Sequence, residues 1–204
     1  MTRIVGGLWG GRRLLTPDGD TTRPTSEKVR AAMASSLTAA GGLEGARVLD
    51  LYAGSGALGL ELVSRGASSA VFVESDRAAL AALRANVTTL QSAASRLGGR
   101  PAGSAAPTLT VVPGDVAAFV GRAAGAGPFD VVVADPPYDL STAALLVLLL
   151  ELQCAALLAP HADLILERSK RNGEPVWPEP FEGVRTRKYG DTRLWYAEEA
   201  GDEE

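Results

Sequence analysis

The stretch "RVLDLYAGSGALG", residues 47–59, decides the fold. Val48 to Tyr52 is an apolar run broken only by Asp50, which reads as a buried strand. Gly54, Gly56 and Gly59 then satisfy G-x-G-x-x-G, and "LGLELVSRG" continues with helical spacing. Without a Cβ, glycine lets the chain turn sharply and lets a ligand approach the backbone. A strand, a glycine turn and a helix in that order predict a nucleotide-binding turn.

The same alternation runs outward from this turn. "AVFVE" predicts a second strand, "RAALAALRANVTTL" a helix, and "LTVVPGD" a third strand. "DVVVADPPY" predicts a fourth strand, "TAALLVLLLELQCAALL" a helix, and "ADLILER" a fifth strand. "VRTRKYG" and "TRLWYAE" read as a closing antiparallel pair. Alternating strands and helices specify an α/β fold, a mostly parallel doubly wound sheet with helices on both faces. Upstream, "RIVGG" and "GRRLLTP" predict a small hairpin. "RPTSEKVRAAMASSLTAA" predicts an amphipathic helix with Val29, Met33 and Leu37 on one face. Residues 91–108, rich in Ser, Ala, Gly and Pro, read as a flexible surface loop. The domain plan is a basic hairpin and helix over 1–40, the α/β domain over 41–198 and an acidic tail over 199–204.

Bulk properties narrow the function. A chain of 204 residues fits one domain with a sizeable core. One cysteine, Cys154, and one histidine, His161, argue against an internal disulfide and a zinc site. Cys154 reads as a small buried residue and His161 as part of the turn after Pro160. "MTRIVGGLWGGRR" lacks the apolar stretch of a secretory signal, and "AALLVLLL" is too short to span a bilayer. The expectation is a cytoplasmic protein with no membrane and no metal. The net charge of −4 hides an uneven distribution: the last seven residues hold five acids. Residues 1–30 carry six basic residues against three acids, and Arg168 to Arg193 seven against four. Local basic segments matter more than the total for attracting phosphate.

Acids mark the ligand. Asp50 precedes the glycine turn, Glu74 ends the second strand twenty residues after Gly54, and Asp115 follows the third strand. Glu74 suits ribose hydroxyls and Asp115 an adenine amino group, whereas Asp50 would repel a pyrophosphate. Three acids at successive strand ends suit S-adenosylmethionine, which is cationic and free of phosphate. In "FDVVVADPPYD", residues 129–139, a buried strand ends in Asp135, Pro136, Pro137 and Tyr138. The two prolines end the ladder and hold a rigid extended turn. Such a corner aims the Asp135 carboxylate and nearby carbonyls at one point, where they accept hydrogen bonds from an amine. Tyr138 offers a stacking face worth roughly 1–3 kcal/mol to a base. The chemistry predicted is methyl transfer to an exocyclic nitrogen of an unpaired or flipped-out base.

Together, "RIVGG", "RPTSEKVR", "LDLYAGSGALGLE", "VFVESDRAAL…N", "DPPY" and "YGDTRLWYAE" resemble the RsmD family, which methylates guanine N2 in bacterial small-subunit rRNA. The resemblance implies a Rossmann-like class I methyltransferase sheet of seven strands, the last antiparallel, behind a small N-terminal β-hairpin extension. It further implies that Asp50, Ala53 and the loop Gly54 to Gly59 hold the methionine part, Glu74 the ribose and Asp115 the adenine. Thr25 and Arg30 would close over the cofactor carboxylate. Asp135, Pro136, Pro137 and Tyr138 would hold the guanine, and Arg12 and Arg13 would contact RNA phosphate. The implied partner is 16S rRNA, in a small ribosomal subunit or its assembly intermediate. The alternative is a DNA adenine-N6 methyltransferase using the same Asp-Pro-Pro-Tyr corner; no segment is left over for a DNA-recognition module.

Overall fold

Val48, Leu49 and Leu51 are buried completely, and so are Val131, Val132 and Val133. Strands apolar on both faces need cover on both sides, which is the condition of a parallel sheet wrapped by helices. The computed structural model describes residues 2–17, 26–97, 106–123, 125–137 and 140–199. Its elements in chain order are β1 (Thr2–Arg3), β2 (Arg13–Leu14), α1 (Glu27–Ala39), β3 (Arg47–Leu51), α2 (Ala57–Ser64), β4 (Ser69–Glu74), α3 (Arg77–Leu97) and β5 (Thr108–Pro113). There follow α4 (Val116–Val120), β6 (Phe129–Ala134), α5 (Thr142–Cys154), β7 (Leu158–Ser169), β8 (Phe181–Tyr189) and β9 (Thr192–Glu199).

The main sheet has seven strands in the order β5-β4-β3-β6-β7-β9-β8. Pairings from β5 through β7 are parallel, and β9 runs antiparallel to β7 and β8. Side chains alternate across it. Val48, Val131, Val133 and Ile165 face a cluster with Met33 of α1, Leu60 of α2 and Leu83 of α3. Leu49, Leu51, Val132 and Leu166 face a second cluster with Phe119 of α4 and Leu145, Leu149 and Leu152 of α5. Ser26 caps α1, its hydroxyl accepting the Val29 N–H at 3.2 Å, and the helix buries Val29, Met33 and Leu37 as their spacing predicts.

β1 and β2 form the expected hairpin, which docks on α2 rather than extending the main sheet. Glu61, wholly buried on α2, accepts the N–H of Val5 at 2.6 Å and of Gly6 at 3.1 Å, and pairs with Arg65 at 2.7 Å. The Ser64 hydroxyl donates to Gly6 O at 2.6 Å and accepts from Trp9 N–H at 2.9 Å. A buried carboxylate is tolerated only when its oxygens are filled by donors, as here. Ile4, Trp9 and Leu14 join the same apolar cluster as α1, α2 and α3.

At three places the structure departs from the sequence expectations, and it adds one helix. The segment 91–108 is not all loop: α3 continues to Leu97, because "QSAASRL" holds no helix breaker and Ala93 still reaches the core. Residues 98–105 lie outside the described residues. Cys154 is exposed, since it falls two residues past Leu152 and so turns away from the face of α5 that packs on the sheet. His161 lies inside β7, not in a turn before it; pairing jumps from Phe129↔Leu158 to Val131↔Asp163, and the surplus residues bulge around His161 at φ +58°. The short helix α4, which the sequence reading assigned no element, starts where the Asp115 carboxylate accepts the N–H of Ala117 at 2.9 Å and of Ala118 at 3.2 Å. Among the described residues, no helix is long and apolar enough to cross a membrane.

Glu61→Ala strips the acceptor from two hairpin N–H groups and strands Arg65. Urea unfolding is expected to show a loss of roughly 2–6 kcal/mol, about 1–3 for each of the two orphaned donors. Limited proteolysis is expected to cut within residues 2–17 first, while Glu61→Gln, which keeps an acceptor oxygen, loses less.

Candidate active site

Beyond Leu51 the chain must leave the sheet within a few residues to start α2. Tyr52 takes a left-handed conformation at φ +59°, costly for a residue with a Cβ, and Gly54 follows at φ +55°. A Cβ on Gly54 would meet nothing within 4 Å, so the turn presents bare backbone to open space. At Gly59 the reverse holds: a Cβ would stand 2.6 Å from the Phe72 ring and 2.8 Å from Asp50 Oδ2. Gly54 thus gives a ligand access, and Gly59 lets α2 pack against β3 and β4.

Two acids fix this turn. Asp50, 2% exposed, accepts the Gly59 N–H at 2.9 Å. Glu74, 9% exposed, accepts Gly54 N–H at 2.7 Å through one oxygen and the N–H groups of Ser75 and Asp76 at 2.7 Å through the other. Its own carbonyl accepts the Gly114 N–H at 2.8 Å. One residue therefore ties together the turns after β3, β4 and β5. Ala53 N–H bonds Val73 O at 3.0 Å, and Gly56 N–H bonds Ala53 O at 2.7 Å. Asp115, exposed, follows β5 and spends one carboxylate oxygen capping α4.

The Asp135-Pro136-Pro137 corner follows β6, which pairs with β3 in the register Leu51↔Ala134. The corner thus emerges beside the glycine turn. Its charge is felt at Asp50, whose pKa burial pushes up to about 7, held back by the Gly59 N–H and raised further by repulsion from Asp135 and Glu74. Burial also raises the Tyr52 hydroxyl, with Asp115 adding to the rise and Arg168 opposing it. Tyr52 therefore stands between the β5 and β7 sides of the crevice.

Arg168 on β7 is 4% exposed and donates to Pro137 O at 3.5 Å and to Leu140 O, holding both sides of the corner. Burial lowers its pKa, and the charges of Asp135 and Tyr52 raise it again. In the sequence Arg168 stands out only as part of a basic segment. Asn86 of α3 was passed over too, although an amide among Leu83, Val87 and Leu90 on an apolar helix face was a visible signal. It is 3% exposed; its Oδ1 accepts Leu15 N–H at 2.8 Å, and its Nδ2 donates to Leu15 O and Ser55 O, both at 2.9 Å. One amide thereby joins the N-terminal hairpin to the glycine turn.

The remaining predicted residues lie on α1 and the hairpin, or outside the described residues. Arg30 is 1% exposed on α1 and donates to Arg3 O at 2.7 Å; burial lowers its pKa against the pull of Glu61, Glu27 and Glu167. Arg12 and Arg13 are exposed on the hairpin. Thr25 and Tyr138 lie outside the described residues.

Seven strands in this order with only β9 reversed, a glycine turn at the end of β3 and an acid-lined crevice beyond it define a class I methyltransferase. Residues 2–198 match the family described as Conserved hypothetical protein 95. The Ribosomal RNA small subunit methyltransferase D of Escherichia coli (strain K12) is 33% identical over 202 residues, 98% of this chain and 92% of that protein. Among solved structures, Escherichia coli yhhF superposes with a TM-score of 0.77 at 32% identity, covering 97% of each chain. The magnesium protoporphyrin IX methyltransferase of Synechocystis PCC 6803, solved with bound SAM, shares the fold at 19% identity and a TM-score of 0.57, covering 89% of this chain and 86% of that one. The chain belongs to the RsmD family.

Asp50 makes stability depend on pH. Unfolded, it ionises near 3.8; folded, it keeps its proton to about 7. Between those values folding takes up a proton, so its contribution to stability falls as pH rises from about 4 to about 7 and is level above. Asp50→Asn keeps an acceptor for Gly59 without the charge. The variant is expected to gain on the parent across that window, by on the order of 3 kcal/mol, in urea unfolding at pH 5 and pH 8. A constant difference would mean that Asp50 is ionised throughout.

Proposed function

We propose that this protein transfers a methyl group from S-adenosylmethionine to the exocyclic N2 of a guanine in small-subunit rRNA. The observation that carries the reading is the placement of the Asp135-Pro136-Pro137 corner beside an open glycine turn in a crevice with excess negative charge. Burial, together with the charges of Asp135 and Glu74, opposes ionisation of Asp50, and a ligand bearing an ammonium and a sulfonium would offset the effect of those charges. On this reading the bare backbone at Gly54 would take the methionine part, Glu74 would bind the ribose hydroxyls and the second oxygen of Asp115 the adenine amine. Family membership and the small-subunit rRNA methyltransferase name of the Escherichia coli relative support the substrate class.

When bound, the cofactor supplies an electrophilic methyl on a positively charged sulfur. The work of this chain is to position the nucleophile. The amine of guanine is weak because its lone pair is delocalised into the ring. On this reading Asp135 and a carbonyl of the corner accept its two protons in hydrogen bonds, which localises the lone pair and directs it toward the methyl. The Asp135 carboxylate would also accept the proton that the amine loses on methylation, or pass it to water. Arg168, by holding Pro137 O and Leu140 O, keeps the corner from relaxing. Tyr138 is assigned the stacking face for the flipped base, Thr25 and Arg30 the cofactor carboxylate, and Arg12 and Arg13 RNA phosphates.

Small ribosomal subunits, free rRNA and DNA incubated with tritiated cofactor test the proposal directly. Label is expected in N2-methylguanosine from small-subunit rRNA; label in N6-methyladenine of DNA would overturn it. Asp135→Ala is expected to lower turnover by at least about 100-fold, the lower bound for a positioned acid–base group. Its affinity for S-adenosylhomocysteine, read by calorimetry, is expected to change little. Replacing Arg12 and Arg13 with Ala is expected to weaken rRNA binding and to flatten its salt dependence by roughly 0.7–0.9 in slope per lost phosphate contact.

A further inference from the structure

Beyond the corner, the sheet carries a row of positive charge. Cross-strand pairing sets Arg168 of β7 opposite Arg193 of β9, and Arg193 opposite Lys188 of β8. Residues paired in this way project on the same face of a sheet, with neighbouring strands about 4.7–4.9 Å apart. That face is the one lined by Leu166, Trp195 and Ala197. The row lies at the end of β7 that extends past Ala134, where Leu166 is the last residue paired with β6 and Asp135 begins the corner. Its inner member, Arg168, is the guanidinium that grips Pro137 O and Leu140 O.

Like charges set directly opposite one another destabilise a sheet. Positive side chains on an exposed edge strand have an ordinary explanation, because they discourage pairing with another chain. That explanation covers Lys188 on the edge strand β8. It does not cover Arg193, which lies on β9 between β7 and β8. Arg193 leans over the ring of Trp195 at 5.7 Å, and its buried Nε has no hydrogen-bond partner among the described residues. In the turn between β8 and β9, Asp191 is ion-paired with Lys170. Lys188 is exposed and Arg193 half-buried, and among the described residues neither forms an ion pair at this end of the sheet.

We propose that Arg193 and Lys188 form a track for the phosphate backbone of the RNA strand that flanks the target base, continuing outward from the corner. The inference rests on the proposed function and deepens it by naming a second contact surface besides Arg12 and Arg13. A flipped nucleotide must carry its neighbouring phosphates close to the pocket mouth, and an otherwise repulsive row of cations is stabilised when those phosphates bridge it.

The test is filter binding of purified small-subunit rRNA over a range of salt concentrations, with calorimetric titration of S-adenosylhomocysteine as a check on the cofactor site. The Lys188→Gln, Arg193→Gln double variant is expected to bind rRNA roughly tenfold more weakly at moderate salt. Its plot of log affinity against log salt is expected to be shallower by about 1.4, two contacts of ~0.7 each. Cofactor affinity should stay within twofold of the parent. Arg185→Gln removes the same kind of charge on the opposite face, where Arg185 lies 4.1 Å from the Tyr196 ring, and should leave the slope unchanged. An unchanged slope in the double variant, or an equal fall in Arg185→Gln, overturns the track. Should the double variant unfold, Lys188→Gln alone, at an exposed position, must still lower the slope by about 0.7. A parent protein that transfers no methyl to rRNA would sink the proposed function instead, and the slopes would still decide whether the track binds RNA.

Discussion

Strand β3 is hydrogen-bonded in parallel to β4 on one edge and to β6 on the other, and the helices that follow β3 and β6 leave on opposite faces. That divergence opens a crevice at the carboxyl ends of the two strands, the place where open α/β sheets bind ligands. Everything at the site follows from it. The glycine turn and the Asp-Pro-Pro corner, 81 residues apart between Gly54 and Asp135, emerge side by side because Leu51 and Ala134 are partners in the ladder. No lid or second domain is needed to bring them together.

The crevice carries more negative charge than the fold alone requires. Asp50 holds its proton to about neutrality chiefly because it is buried, with the charges of Asp135 and Glu74 adding to the rise. Glu74 and Asp115 each spend carboxylate oxygens on backbone N–H groups, so they shape the turns whether or not a ligand is present. Structure and proposed chemistry therefore draw on the same residues. Two further ties extend the site into the rest of the chain: Arg168 from β7 to the corner, and Asn86 between the hairpin and the glycine turn. The proposed RNA contacts on the hairpin and on the β8–β9 end of the sheet are thus mechanically continuous with the proposed cofactor cradle.

Much of this was legible in the sequence because it is written in local patterns. Short apolar runs marked the strands and period-3.6 spacing most helices, and glycine and proline marked the turns that carry the motifs. Long-range partners left no such trace. Glu61 looks like an ordinary helix-surface acid until the hairpin N–H groups are placed on it, and Arg168 looks like one more basic residue until β7 lies beside β6. Cys154 sits in an apolar segment, yet helix geometry turns it outward. The extension of α3 past Leu90 was hidden by a composition that suits loops and helices alike.

The account stands on one arrangement: a rigid corner oxygen facing the transferable group across the end of the sheet. A crystal structure with bound sinefungin, whose amine replaces the methyl-bearing sulfonium, measures it most directly. The amine is expected over the Gly54 side of the crevice, pointing toward the Asp135 carboxylate, with about one nucleobase's breadth between them. A corner whose carboxylate points away from that amine, or a ligand seated elsewhere on the sheet, would contradict it.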